Sequence, residues 1–317
     1  MNGMILAAGL GTRLRPLTLE RPKAVVPVAN LPAAAWAAGA LSAASIRDVA
    51  VNLHHLPDRV QEALGDGSEL GIDIVYSHEH ERILGTGGGT RRALDLLDPG
   101  PLVVVNGDVV SDVDLAELLE SHERAGAPVT LALVPRPDHA RYGTVTARDG
   151  LVTSIVGRRA RTHPEPSPDE APLVFAGIHV MGPEAQRLLP ASGCVVRETF
   201  FSMLEKGLPI AAHVHEGFWS DIGTPAEYLG CNLDILGGRA GRLAPRARVE
   251  DSRLIGENVV IGDGARIGRD VILGDDVRVE DGADLEGCVV WDGAAASGRL
   301  RNAIVSRGHV LGLEENA

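Results

Sequence analysis

The chain of 317 residues is long enough to bury a large core, and its length favours two domains. A formal charge of −13 argues against a general binder of nucleic acid or of anionic membranes, so neither is an expected partner. Cys194, Cys231 and Cys288 are far apart, odd in number and without a C-x-x-C pair, and no signal-peptide pattern or membrane-length apolar run occurs; a cytoplasmic protein without a disulfide framework or zinc cluster is expected.

The first apolar run, Met4 to Ala8, reads as a buried strand. A loop with Gly9, Gly11, Thr12 and Arg13 follows it. Glycines just after a strand let backbone N–H groups approach an anion. Lys23 then stands between Pro22 and a second apolar run, Ala24 to Val28. Lys23 and Lys206 are the only lysines among 30 basic residues, so a lysine here is a marked choice. Amide donors, a guanidinium and an ammonium in one segment suit a polyphosphate. The segment has no Gly-Lys pair, which the P-loop requires. It also carries Leu14 where the dinucleotide fingerprint needs its third glycine.

Further strands read at Val49–Leu53, Ile72–Tyr76, Leu102–Asn106 and Val129–Val134, with helices at Pro32–Ala44, Pro57–Leu64, Thr90–Leu97 and Leu115–Ala125. This alternation predicts a Rossmann-like α/β domain with a mostly parallel sheet. Gly85 to Gly89 precede a helix, where glycines can hold an anion or let the backbone approach a base. Asp108 ends an apolar strand and suits Mg²⁺, which takes one or two carboxylates plus substrate phosphates. Tyr142–Val156 reads as an antiparallel insert and Arg158–Pro172 as a loop. A helix at Glu198–Lys206, a strand at Ile210–His215 and a helix at Pro225–Leu236 follow. Asp221, in GFWSDIGTP, reads by itself as a turn or capping aspartate.

Beyond a linker, Val249, Ile255, Ile261, Ile267, Leu273, Val279 and Leu285 recur every six residues, with glycine after several of them. This is the pattern of a hexapeptide β-helix, its aliphatic ladder pointing inward and its regularity fading after Trp291. The expected division is 1–236 for the α/β domain, 237–246 for the linker and 247–317 for a left-handed parallel β-helix. The pairs His78/His80 and His213/His215 lack further metal ligands nearby in sequence.

GLGTRLRPLT, Gly9 to Thr18, and PKAVVP, Pro22 to Pro27, together resemble the two-part signature of sugar-1-phosphate nucleotidylyltransferases. The resemblance implies Arg13, Lys23, Asp108 and Asp221 as the catalytic set, with Asp108 (in N-G-D) and Asp221 (in W-x-D-I-G-T) binding Mg²⁺. It implies nucleotide contacts at Leu6, Ala7, Gly9, Gly11, Thr12 and Arg13, and at Gly85, Thr86 and Gly87 from LGTGG. It implies sugar-phosphate contacts at Asp108, Tyr142, Gly143, Gly177 and Glu198. Many members carry an E-K-P lysine for the sugar phosphate; here the sequence reads IVGRRART, and Arg158 or Arg159 is the expected substitute. The substrates implied are an NTP and a sugar 1-phosphate. GFWSDIGTP and the hexapeptide tail resemble mannose-1-phosphate guanylyltransferases, hence GTP and mannose 1-phosphate. A uridylyl- or thymidylyltransferase and a non-catalytic regulatory subunit are the alternatives. A homo-oligomer formed through the β-helix is expected. An acyltransferase using His309 is disfavoured by the short repeat.

Overall fold

The computed structural model describes residues 1–165, 167–239, 249–250 and 252–313. Its centre is strand β1 (Asn2–Leu6), an apolar run buried on both faces. β1 pairs in parallel with β2 (Asp48–Leu53) on one side and β4 (Leu102–Asn106) on the other, and β3 (Asp73–His78) continues the sheet beyond β2. Apolar strands without alternation are what a parallel sheet covered on both faces requires. Helix α1 (Ala33–Ala43) supplies part of the cover: Ala34, Ala37, Ala38 and Leu41 pack with Val49, Val51, Val103 and Val105.

The chain runs from β1 outward to β2 and β3, then crosses to β4 on the other side. The strand order therefore reverses between β1 and β4. Ligands in open α/β sheets sit outside the carboxyl ends of the strands at such a point. Leu6 is in register with both Asn52 and Asn106, so the three strand ends are level.

The other half of the ten-stranded sheet corrects the expected parallel arrangement. Strand β9 (Ala171–Met181) runs antiparallel between β4 and β6 (Val129–Pro135), and β6 is parallel to β10 (Ile210–Val214). The stretch of β9 paired with β4, Ile178–Met181, is buried throughout, and a buried run carries no signal of strand direction, so periodicity cannot reveal this. The insert is a hairpin of β7 (Thr144–Arg148) and β8 (Leu151–Ile155), antiparallel as expected. Val109–Ser111 (β5) and Trp219–Asp221 (β11) form a short antiparallel ribbon that the sequence did not suggest. This ribbon brings Asp221 beside the end of β4. Helix α6 (Pro225–Leu236) follows; Thr224 caps it by accepting from the Glu227 N–H.

The C-terminal region is a three-sided stack of parallel strands. Arg253–Ile255, Val271–Leu273, Val289–Val290 and Ala303–Val305 make one face. The other two faces begin with Val260–Ile261 and with Arg266–Ile267. Leu273, Val279, Leu285, Val290, Ala296 and Val305 fill the interior. Ile255 and Ile261, expected inside, are 47% and 48% exposed because they belong to the first coil. The pattern after Trp291 fades because the last coil is shorter: Arg266 pairs with Asp284, but Asp284 pairs with Arg299. The expected linker, 237–246, lies outside the described residues from 240 onward.

One core joins the two regions. Leu14, Leu17, Val26, Val28, Tyr228 and Leu229 pack with Leu254, Ile272, Val289, Trp291 and Ile304. The first coil face is thus apolar on both sides, inward to the coil and outward to the α/β domain. No helix among the described residues is long and apolar enough to cross a membrane.

Candidate active site

At the switch point, three segments converge on Lys23. The Asn106–Asp108 turn follows β4, and Gly107 donates its N–H to the Leu6 carbonyl at 2.9 Å. A Cβ on Gly107 would sit 2.9 Å from that oxygen, so only glycine lets this turn lie against the end of β1. Lys23 lies in a single helical turn, Lys23–Val25, and is 8% exposed. Its ammonium donates to Asp108 Oδ2 and, at 3.2 Å, to Asp221 Oδ1. Arg13 NH2 stands 3.9 Å from Asp221 Oδ2, with its side chain 62% exposed and turned to the open side.

The electrostatics follow from this packing. Burial by itself pushes the Lys23 pKa down, but the two carboxylates outweigh it and the net shift is upward. Asp221 is raised, first by burial and then by the Asp108 charge, with Lys23 opposing. Two close carboxylates, one of them raised, form a set that a cation stabilises. The Lys23 ammonium occupies that cation's place between them. The donor set fits a hard divalent ion that completes its shell with phosphate oxygens and water.

The glycine loop after β1 is held from below by groups the sequence reading missed. Asn52 Oδ1 accepts from the Ala7 N–H at 2.8 Å, and Asn52 Nδ2 donates to Glu79 Oε1 at 2.7 Å. Glu79 is 2% exposed, and its other oxygen accepts from the Leu84 N–H at 2.6 Å. This buried chain ties Ala7 to the entrance of α3 (Gly85–Ala93). Glu79 lies between His78 and His80, whose rings stack at 5.2 Å. Gly11 has φ +58 and lies against Thr18 and Lys23, which curls the loop toward the lysine.

The glycines of α3 are not an open anion site. The Gly193 carbonyl accepts from the Gly87 and Gly88 N–H groups, at 2.9 and 3.4 Å. Thr86 Oγ1 accepts from the Val195 N–H. A Cβ on Gly85 would lie 2.6 Å from the Gly193 oxygen. The run of glycines permits backbone to pack on backbone, and Glu198 is placed against Gly193 at this edge.

Across the cleft from the glycine loop, Tyr142 Oη donates to Glu227 Oε1 at 2.9 Å, and its ring meets Trp219 edge-on at 5.3 Å. Burial and then the Glu227 carboxylate push the Tyr142 hydroxyl up to about 12. Glu227 also pairs with Arg141 at 2.6 Å and accepts from Thr224 Oγ1 at 2.8 Å. Trp219 Nε1 donates to the Ala176 carbonyl at 2.9 Å, which sets Gly177 against Asn106. Glu227 was missed, although T-x-x-E at Thr224–Glu227 is a capping-box signature that marks it.

A nucleotidyl transferase family model matches residues 2–238. The chain is 32% identical over 297 residues to a mannose-1-phosphate guanylyltransferase of Mycobacterium tuberculosis, covering 92% of this chain and 80% of that one. The chain belongs to the nucleotidyl transferase family. Mannose-1-phosphate guanylyltransferase 1 of Arabidopsis thaliana is 32% identical over 301 residues, covering 92% and 82%. A crystal structure of a protein named "Putative Glucose-1-Phosphate Thymidylyltransferase", from Bacillus anthracis, shares the fold, with TM-score 0.62, 23% identity, and coverage of 73% of this chain and 94% of that one.

In this nucleotidyl transferase the expected substitutes for the E-K-P lysine are both engaged elsewhere. Arg159 donates to both oxygens of Glu170, at 3.0 and 2.7 Å, and to two loop carbonyls. Its hydrogen bonds hold the Glu170 carboxyl down to about 2. Arg158 pairs with Glu205 at 2.8 Å and lies over the Phe201 ring. Gly143, at φ +90, ends the turn that carries Tyr142, with Val156 at its Cβ position.

Proposed function

We propose that this nucleotidyltransferase joins GTP and mannose 1-phosphate to give GDP-mannose and pyrophosphate, with Mg²⁺ as its metal. The observation that carries the reading is the Lys23 ammonium set between Asp108 and Asp221 beneath the glycine loop. The named substrates rest on the likeness to mannose-1-phosphate guanylyltransferases over 92% of the chain.

A phosphate oxygen of the sugar 1-phosphate forms a bond to the α-phosphorus of the nucleotide. The bond from that phosphorus to the bridging oxygen breaks in line, and pyrophosphate leaves with the electron pair. The attacking oxygen is already ionised, so no general base is required. Catalysis is then positioning and charge neutralisation. The Gly9–Arg13 loop amides and the exposed Arg13 guanidinium hold the triphosphate and the departing pyrophosphate. Lys23, kept charged by its two carboxylates, neutralises the α-phosphate. Asp108 and Asp221 would hold the divalent ion, which supplies charge compensation shared by both substrates. Leu6, Ala7, Gly85, Thr86 and Gly87 line the nucleotide side, and Tyr142, Gly143, Gly177 and Glu198 the sugar side.

One observation favours a second reading. Arg158 and Arg159 are both paired, which leaves the sugar phosphate without the lysine's counterpart. A non-catalytic, nucleotide-sugar-binding subunit would tolerate that loss. Pyrophosphate release tests the two, with GTP, UTP, dTTP, ATP and CTP crossed against mannose, glucose and N-acetylhexosamine 1-phosphates. Turnover confined to GTP and mannose 1-phosphate supports the proposal. Silence with retained GDP-mannose binding supports the second reading, and turnover with another pair reassigns the substrates.

A further inference from the structure

The turn that carries Lys23 is one helical turn without a side-chain cap, too short to hold its own place. Its two flanks are anchored: the preceding one on the C-terminal coil, the following one on α6 and, through it and Asn30, on the coil. Before the lysine, Glu20 Oε1 accepts from Ser306 Oγ at 2.6 Å, from the Gly308 N–H at 3.2 Å and pairs with His309 Nδ1 at 2.7 Å. Arg21 pairs with Asp292 at 2.5 Å and lies 5.2 Å over the Trp291 ring. After the lysine, the Pro27 carbonyl accepts from Tyr228 Oη at 2.5 Å, and that hydroxyl accepts from Trp291 Nε1 at 2.9 Å. Asn30 Nδ2 donates to the Leu273 carbonyl at 2.8 Å.

We propose that the C-terminal coil is a positioning element for Lys23, acting through Trp291 and Tyr228 on one flank and through His309, Ser306 and Glu20 on the other. This rests on the catalytic part assigned to Lys23 above. Trp291 and Tyr228 are both 1% exposed or less, so their hydrogen bonds lack competition from water. Tyr228 lies on α6, shortly after the ribbon strand that carries Asp221, so its hydroxyl links the segments that carry Lys23 and Asp221 to the coil. None of these coil residues touches the Lys23 ammonium. A small displacement of a positioned charge lowers turnover without weakening ground-state binding.

The test is a double-mutant cycle on the full chain, read as kcat and KM from pyrophosphate release with GTP, mannose 1-phosphate and Mg²⁺. Trp291→Phe keeps an aromatic ring and removes the indole donor. Ser306→Ala with His309→Ala opens the partly exposed latch, so one arm stays usable if the buried variant fails to fold. Each change should lower kcat about fivefold at unchanged KM, the scale of one lost hydrogen bond. In a Lys23→Ala background the same changes should lower kcat by less than about twofold, because the group they position is gone. Equal losses in both backgrounds, or no loss in the native one, would overturn the proposal. If Lys23→Ala itself turns over normally, the catalytic reading fails instead, and the positioning role falls with it.

Discussion

Lys23 Nζ lies 3.2 Å from Asp221 Oδ1, although 198 residues separate them in the chain. The contact exists because the β5–β11 ribbon folds Asp221 back against the end of β4, where Asp108 already holds the lysine. The charge cluster is therefore a product of the tertiary fold.

Asp108→Asn removes one proposed oxygen ligand of the metal and the firmest partner of Lys23. It should lower kcat at least about a hundredfold, the scale of one preorganised transition-state contact. Circular dichroism should stay native. Lys23→Ala should cost a similar factor with a smaller change in KM. Near-normal turnover of Asp108→Asn with Mg²⁺ would remove it from the metal site.

The raised pKa of Asp221 predicts the acid limb of activity. Both carboxylates must be ionised to hold a cation, so the limb of kcat/KM should lie above the ordinary aspartate value of 3.8. Protons and metal compete for the same oxygens, so raising Mg²⁺ should move that limb to lower pH. A limb that ignores Mg²⁺ would assign it to another group.

Glu170 gives a stability prediction of the opposite sign. Hydrogen bonds from Arg159 hold its folded pKa to about 2, below the ordinary 4.5. A depressed carboxyl stabilises above its unfolded pKa, and the gain is lost as pH falls through the folded one. Glu170→Gln should lower the Tm at pH 7, and the difference from wild type should shrink between pH 4.5 and pH 2. A constant difference would mean that the charge contributes nothing.

Gly177 has φ +76, and a Cβ there would lie 2.7 Å from Asn106 Nδ2. Gly177→Ala combines left-handed strain, about 1–2 kcal/mol, with a push on the residue two before Asp108. Activity should fall about tenfold or more, measured beside a melting curve that falls by only a few degrees. Unchanged activity would separate Gly177 from the site.

The residues differ in how much of this was legible in the sequence. Segments 9–27, 106–108 and 219–225 each carry a dense local pattern, because tight turns that bring charged side chains together need glycine, proline and charge at fixed spacing. Helices Pro57–Leu64, Leu115–Ala125 and Pro225–Leu236 coincide with their predicted limits, each opened by proline or a capping side chain. Asn52 and Glu79 were invisible because their roles depend on contacts 45 and 27 residues apart. The Gly193 carbonyl that occupies the Gly87 and Gly88 amides is backbone, which no side-chain pattern announces. Arg158 and Arg159 sat in the right stretch of sequence, yet Glu205 and Glu170 claim them in the fold.

The most direct test follows label from GTP carrying ³²P at the α-phosphate, incubated with mannose 1-phosphate, Mg²⁺ and the enzyme. The account predicts label in GDP-mannose and none in pyrophosphate, with the Asp108→Asn variant giving almost no product. No labelled nucleotide sugar from the wild-type enzyme, or undiminished product from Asp108→Asn, would contradict it.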